Sequence, residues 1–157
     1  MRYTLLILAT LLAGCGAQVT GPSSPASPSK VTATSGQFQA EAAPGSIPAG
    51  GTVRVTLTVS GPIDYEVGCV QTLHIWAEDG KGNRVWEQAV PTIMCFAFGH
   101  KLLAAGETAS FESDWPTSRS LAAGRYTIHG LFLTILPPGA GTRVRENVPP
   151  LAVAVTR

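Results

Sequence analysis

Residues 73–86, Leu-His-Ile-Trp-Ala-Glu-Asp-Gly-Lys-Gly-Asn-Arg-Val-Trp, constrain this chain most, because they read as two strands folded back on each other. Leu73, Ile75 and Ala77 alternate with His74, Trp76 and Glu78, the period-two pattern of a strand with one buried face. Asp79, two glycines and Asn83 fall within the next five residues, the chemistry of a hairpin turn that needs positive backbone dihedrals. Arg84, Val85 and Trp86 then resume an extended run.

The same alternation recurs along the chain and sets the fold class. Residues 37–42 are a short strand candidate, and a Pro/Gly-rich turn over 44–51 leads to the cleanest strand, 52–60. There Val53, Val55, Leu57 and Val59 alternate with Thr52, Arg54, Thr56, Thr58 and Ser60, so one face is apolar, and β-branched residues dominate both. Gly61-Pro62 ends it, and residues 63–68, with Asp64, Tyr65 and Glu66, are expected as a loop. Past the hairpin, residues 92–103 are apolar without a clean period. Residues 109–115 alternate again until Pro116. In residues 125–136 both faces turn apolar in the second half, at Leu131, Leu133 and Ile135 as well as Phe132, which marks a central strand covered on both sides or bordering a contact surface. Residues 137–147 form a Pro/Gly-rich loop with Arg143, Arg145 and Glu146, and Leu151, Val153 and Val155 close the chain as an edge strand. About eight short strands with turns every 8 to 12 residues, and no convincing helix, predict an all-β antiparallel sandwich of about seven to eight strands.

The N-terminus carries an address. Arg2 supplies a positive n-region, and residues 5–13 form an apolar run too short to span a bilayer, which takes about 20 residues. Leu12-Ala13-Gly14-Cys15 resembles the bacterial lipobox, in which a peptidase cuts just before a cysteine that has received a diacylglycerol. The resemblance implies a signal peptide over 1–14 and lipidation of Cys15 as the mature N-terminus. At about 0.8 kcal/mol per buried methylene, several acyl chains make an effectively permanent membrane anchor. Residues 15–36, rich in Ser, Pro, Thr and Gly, are expected to tether a domain over 37–157 that faces the periplasm or the cell exterior. Without Arg2 the eleven basic residues fall to ten, matching ten acidic ones, and no clustered basic patch points to nucleic acid.

With Cys15 assigned to lipid, Cys69 and Cys95 remain in a chain exported to an oxidising compartment, and they are expected to form a disulfide. The loop they close, residues 69 to 95, is one for which the chain-entropy model gives roughly 3 to 4 kcal/mol. A metal pair assisted by Met94 or His100 is the alternative, but no second Cys or His stands at zinc-like spacing.

Asp79, Gly82 and Val85-Trp86, the apolar stretch around Phe96 and Phe98, Leu103-Ala-Ala-Gly-Glu107, Trp115 and Ala123-Gly-Arg-Tyr-Thr127 together resemble the intracellular proteinase inhibitor domain of BsuPI type. The resemblance spans roughly residues 37–136 and implies an immunoglobulin-like sandwich and a proteinase-inhibiting activity. Two features depart from the family: the lipobox, and the Cys69–Cys95 pair, which a cytoplasmic member would not keep. No segment matches an inhibitory loop residue by residue.

Chemistry-bearing constellations are sparse. There is no Gly-x-Ser-x-Gly elbow, no His-Glu-x-x-His and no phosphate-cradling glycine loop, so neither catalysis nor a cofactor is expected. His74 and His129 fall on strands and could meet near Glu78 or Asp114 in a metal or acid/base site, but the reading preferred for each is a half-exposed strand residue. Trp76, Trp86 and Trp115 form either a carbohydrate-stacking platform or, for at least two of them, core. The loops at one end of an immunoglobulin-like sandwich would bring Asp64, Tyr65 and Glu66 near Arg143 and Arg145, a candidate protein-binding surface because Tyr and Arg dominate interface energies. The expected function is therefore a lipid-anchored, non-catalytic extracytoplasmic binding module whose partner is a protein, a protease if the resemblance extends to activity. The alternative is an accessory envelope lipoprotein that docks in a larger assembly and inhibits nothing. Exposed apolar residues at Leu131, Leu133 and Ile135 favour docking, and a protruding loop favours inhibition.

Overall fold

Alternating side chains build eleven strands among the described residues of the computed structural model, which are 29–68, 71–90, 98–136 and 141–157. In chain order they are β1 (Val31–Ser35), β2 (Phe38–Ala43), β3 (Ser46–Pro48), β4 (Thr52–Ser60), β5 (Ile63–Gly68) and β6 (Leu73–Asp79). There follow β7 (Arg84–Glu87), β8 (Phe98–Leu103), β9 (Thr108–Pro116), β10 (Gly124–Leu136) and β11 (Thr142–Thr156). The first sheet has the order β1-β2-β4-β9, and the second β3-β11-β10-β5-β8, with β6 also lying against β10 and carrying β7 at its other edge. Neighbours are antiparallel except β3, which runs parallel to β11.

The inward faces of the two sheets make one core. Val53, Val55, Leu57 and Val59 of β4 are sealed from solvent, as the sequence pattern requires, and meet Ile75 and Ala77 of β6, Ile128 and Phe132 of β10, and Leu151 and Val153 of β11. Phe132 is the hub of an aromatic cluster, with ring centroids 4.9 Å from Phe111, 5.6 Å from Phe38 and 5.9 Å from Tyr65. Such edge-on contacts add to the burial of large apolar surface. Trp115 lies fully inside, 5.7 Å from the Tyr126 ring. The Tyr126 hydroxyl, at the start of β10, donates to the Ala122 carbonyl at 2.7 Å, the tyrosine corner that fixes the crossover between sheets in immunoglobulin-like sandwiches. With the parallel β3–β11 pair, it defines this chain as an all-β, immunoglobulin-like sandwich.

The opening hairpin forms as its residues dictate. Asp79 Oδ1 accepts from the backbone N–H of Lys81 and Asn83, its Oδ2 accepts from the Asn83 amide, and Gly82 takes the positive φ of 81°. Elsewhere the structure corrects the expected boundaries. The first sheet begins at Val31 rather than Gln37, because β1 pairs with β2 from Val31↔Ala42 to Ser35↔Phe38 inside the stretch expected to be tether. Its Thr- and Ser-rich composition conceals an alternation in which Val31 and Ala33 pack on the core. Residues 63–68 are a strand and not a loop, with Ile63 and Tyr65 turned inward and β8 paired along the whole length. Likewise β11 starts at Thr142, taking in residues expected in a loop, and is no edge strand, since β3 flanks it. β8 emerges from the aperiodic stretch, and the short β1, β3 and β7 raise the strand number above the seven or eight expected. Cys15, Cys69, Cys95 and Met94 lie outside the described residues.

Two substitutions test this packing by urea unfolding. Phe132→Ala, which removes the hub of the aromatic cluster, is expected to cost about 3 to 5 kcal/mol. Tyr126→Phe, which removes only the corner hydrogen bond, is expected to cost about 1 kcal/mol.

Candidate functional site

The two outer faces of the sandwich differ in kind. On the first sheet, Thr52, Arg54, Thr56, Thr58 and Ser60 of β4 stand beside Ser110, Glu112 and Asp114 of β9. Arg54 Nε lies 3.1 Å from Asp114 Oδ1 and the guanidinium also faces Glu112, so both carboxylates, Asp114 foremost, raise the Arg54 pKa. This is an ordinary solvated face whose ion pairs sit in water. The second sheet presents a ridge of Leu131, Leu133 and Ile135 from β10, each only partly buried, flanked by ionisable and aromatic side chains from every neighbouring strand.

At one end of that ridge stands Trp76, opposite His129 in the β6–β10 register. The His129 ring stacks on the indole at 5.4 Å and 13°, and Arg84, from β7 on the other side, places its guanidinium 4.8 Å from the ring centroid. Trp76 Nε1 donates to Glu78 Oε1 at 2.8 Å, and His129 Nε2 lies 3.4 Å from Glu78 Oε2. His74, next along β6, pairs with Glu87 at 3.0 Å, while Arg84 holds the second Glu87 oxygen at 2.8 Å. Hydrogen bonds from Arg84 and, after it, His74 hold the Glu87 carboxyl below its ordinary value. In the turn of the same hairpin, the Asn83 side chain and the Asn83 and Lys81 backbone do so for Asp79.

This arrangement resolves the expectations for His and Trp. His129 does meet Glu78, whereas Asp114 belongs to the other sheet with Arg54. Among the described residues no group of three His, Cys, Asp or Glu is placed to hold a metal. The three tryptophans form no platform: Trp115 is core, Trp86 packs on the core, and Trp76 is covered by His129 and Arg84.

The other end of the ridge corrects the expected protein-binding surface. Asp64 and Glu66 point outward from β5 yet are 0% and 1% exposed, and Tyr65 points inward at 4%, against Phe111 and Phe132. None of the three stands on a solvated loop tip, because the alternation of β5 sends Tyr65 into the core and neighbouring strands close over the carboxylates. His100 Nδ1 of β8 lies 3.0 Å from the Asp64 carboxylate, and Arg143 Nε of β11 lies 2.8 Å from Glu66 Oε2. The latter is an ion contact without aligned hydrogen-bond geometry, and Glu66 Oε1 has no hydrogen-bond partner. Arg143 is thus brought to Glu66 as expected, but as the cap of a buried charge. Arg145, two residues along β11, instead faces Leu133 and lines a cavity of about 180 Å³ whose other walls include His74 and Glu87.

Sequence reading noted the apolar outward face of β10 as a contact surface but missed this cavity. The signal was the apolar outward set Leu131, Leu133 and Ile135, which becomes specific only when β6, β5 and β11 are placed on either side.

No protein-family model matches the chain, and no curated protein matches it. Among solved structures, the crystal structure of the C-terminal domain of wzt is similar, with a TM-score of 0.48 and 12% identity over 83% of this chain and 80% of that one.

Two predictions follow from the charges. Arg143→Ala is expected to cost about 3 kcal/mol in urea unfolding, because it leaves Glu66 buried without its cation, and adding Glu66→Gln is expected to recover more than half of the loss. For Glu87 the folded-state pKa is depressed, so its contribution to stability is full above the unfolded value near 4.5 and is lost as pH falls through the folded one. Glu87→Gln is therefore expected to lose less stability than the wild type between pH 5 and pH 3, about the range in which paired carboxylates titrate.

Proposed function

We propose that this chain is a lipid-anchored, non-catalytic binding module of the bacterial envelope, held to the membrane through Cys15 and facing the periplasm or the cell exterior. It docks a protein partner on the outer face of its second sheet, as an accessory component of a larger assembly. One observation carries the reading: Leu131, Leu133 and Ile135 lie partly exposed in a row on an outward face, ringed by His, Trp, Arg and Glu, while the opposite outer face presents mostly Thr, Ser, Arg, Glu and Asp from β4 and β9. An apolar centre with a polar, arginine-bearing rim is the anatomy of a protein interface.

Protease inhibition, implied by the BsuPI resemblance, has less support. The stretch expected as a binding loop, residues 63–68, runs in a strand paired with β8, and its carboxylates are buried. Such an inhibitor needs a rigid segment to offer a protease cleft.

The test uses the full chain in its own envelope, with a photo-crosslinking side chain at Leu133 or, as the control, at Thr56 on the polar face. A discrete cross-linked product is expected from position 133 and lost on Leu131→Asp, with none from position 56. Equal products from both positions would remove the docking reading. In parallel, titration of subtilisin-like and trypsin-like proteases is expected to show no stoichiometric inhibition, and inhibition without cleavage would make the chain an anchored inhibitor instead. Cys15→Ser is expected to leave the chain without lipid by intact mass.

A further inference from the structure

We propose that the cavity on the outer face of the second sheet is a binding site for a small zwitterion of the α-amino-acid type with a short aliphatic side chain. This goes beyond protein docking and does not depend on it. The cavity holds about 180 Å³. At about 30 Å³ for each water in the liquid, that is the space of roughly six waters, the scale of one small organic molecule.

Its chemistry changes sign across the strands. On the β11 side stands Arg145, directly opposite Leu133 in the register, with no ion-pair partner among the described residues. Leu131 and Leu133 of β10 make an aliphatic floor. On the far side His74, opposite Leu131, and Glu87 of β7 form the third wall, with His74 Nε2 3.0 Å from Glu87 Oε1. A guanidinium at one end and, at the other, a carboxylate that also holds His74 and Arg84 beside two acceptors without donors, over an apolar floor, match a ligand that carries a carboxylate and an ammonium on one short carbon frame.

Two further atoms point the same way. Gln71 Oε1 and His74 Nδ1, on residues that line the cavity, are buried from water and have no hydrogen-bond partner. In the neutral tautomer that directs its Nε2 proton at Glu87, Nδ1 of His74 is an acceptor, and both atoms then lack a donor. A buried acceptor left unpaired is costly, and an ammonium group brings three N–H donors that small rotations of these side chains would meet. A simple anion would engage Arg145 but bring no donor to Gln71 Oε1 or His74 Nδ1. A neutral sugar would leave Arg145 without a counter-charge, and it would find no open aromatic face, because Trp76 is covered by His129 and Arg84.

Isothermal titration of the full chain in detergent tests the proposal with three probes: L-leucine, N-acetyl-L-leucine, which lacks the ammonium, and L-leucinamide, which lacks the carboxylate. Saturable one-site binding of L-leucine is expected, weakened at least about tenfold in each derivative, since each loses one charge-assisted contact. Arg145→Gln, on an exposed side chain, is expected to keep the near-ultraviolet circular dichroism of the wild type and to weaken L-leucine about tenfold or more. No heat with millimolar L-leucine, equal binding of either derivative, or unchanged affinity in Arg145→Gln would each overturn the proposal. Any of these results leaves the cross-linking from Leu133 unaffected, so the two readings fail separately.

Discussion

Strand β10 is the element on which the rest of the structure depends. It pairs with β11 from Gly124↔Val155 to Leu136↔Thr142 on one side, and on the other with β6 along Tyr126–Phe132 and with β5 at Thr134. Its inward side chains, Tyr126, Ile128 and Phe132, reach the first sheet, and Tyr126 also ties the strand to the crossover through Ala122. Its outward side chains, His129, Leu131, Leu133 and Ile135, form the spine of the candidate binding face. Fold and face are thus two sides of one thirteen-residue strand. A strand committed to the core on one side holds its other side rigid, which suits a preorganised recognition surface.

The distribution of charge follows from that division. All three histidines of the chain lie on the outer face of the second sheet, each beside a carboxylate: His74 with Glu87, His100 with Asp64 and His129 with Glu78. The first sheet has none, and its Arg54 pairs with Asp114 in open solvent. Sealing Asp64 and Glu66 away from water is unfavourable for stability compared with an apolar pair, so their place at the end of the ridge fits specificity of arrangement better than strength of fold.

Much of the architecture was legible in single strands. The alternations read at 52–60, 73–78 and 109–115 follow from one buried and one solvated face, and Asp79 with Gly82 and Asn83 sets its turn by local hydrogen bonds. The failures have a common physical origin. β1 is written in small and hydroxyl residues whose pairing with β2 is decided by the partner and not by propensity. β5 follows Gly61-Pro62 and carries two carboxylates, so its pattern looks like a loop, and pairing with His100 and Arg143 on other strands helps make burial of those charges tolerable. The expected exposure of Asp64, Tyr65 and Glu66 was misread for the same reason, since where Tyr65 points is fixed by the register with Thr134, a long-range fact. The double apolar face of β10 was visible, but the cavity beside it joins residues from β6, β7, β10 and β11 and has no local trace.

The outer face of the second sheet is the face proposed to meet a partner. Hydroxyl-radical footprinting of the chain in intact envelopes, compared with the purified chain in detergent, tests it most directly. Protection in the envelope at His74, Trp76, Leu131 and Leu133, with Arg54, Thr56 and Glu112 unchanged, is the result this account predicts. Equal reactivity of the first group in both settings, or protection confined to the polar face of the first sheet, would contradict it.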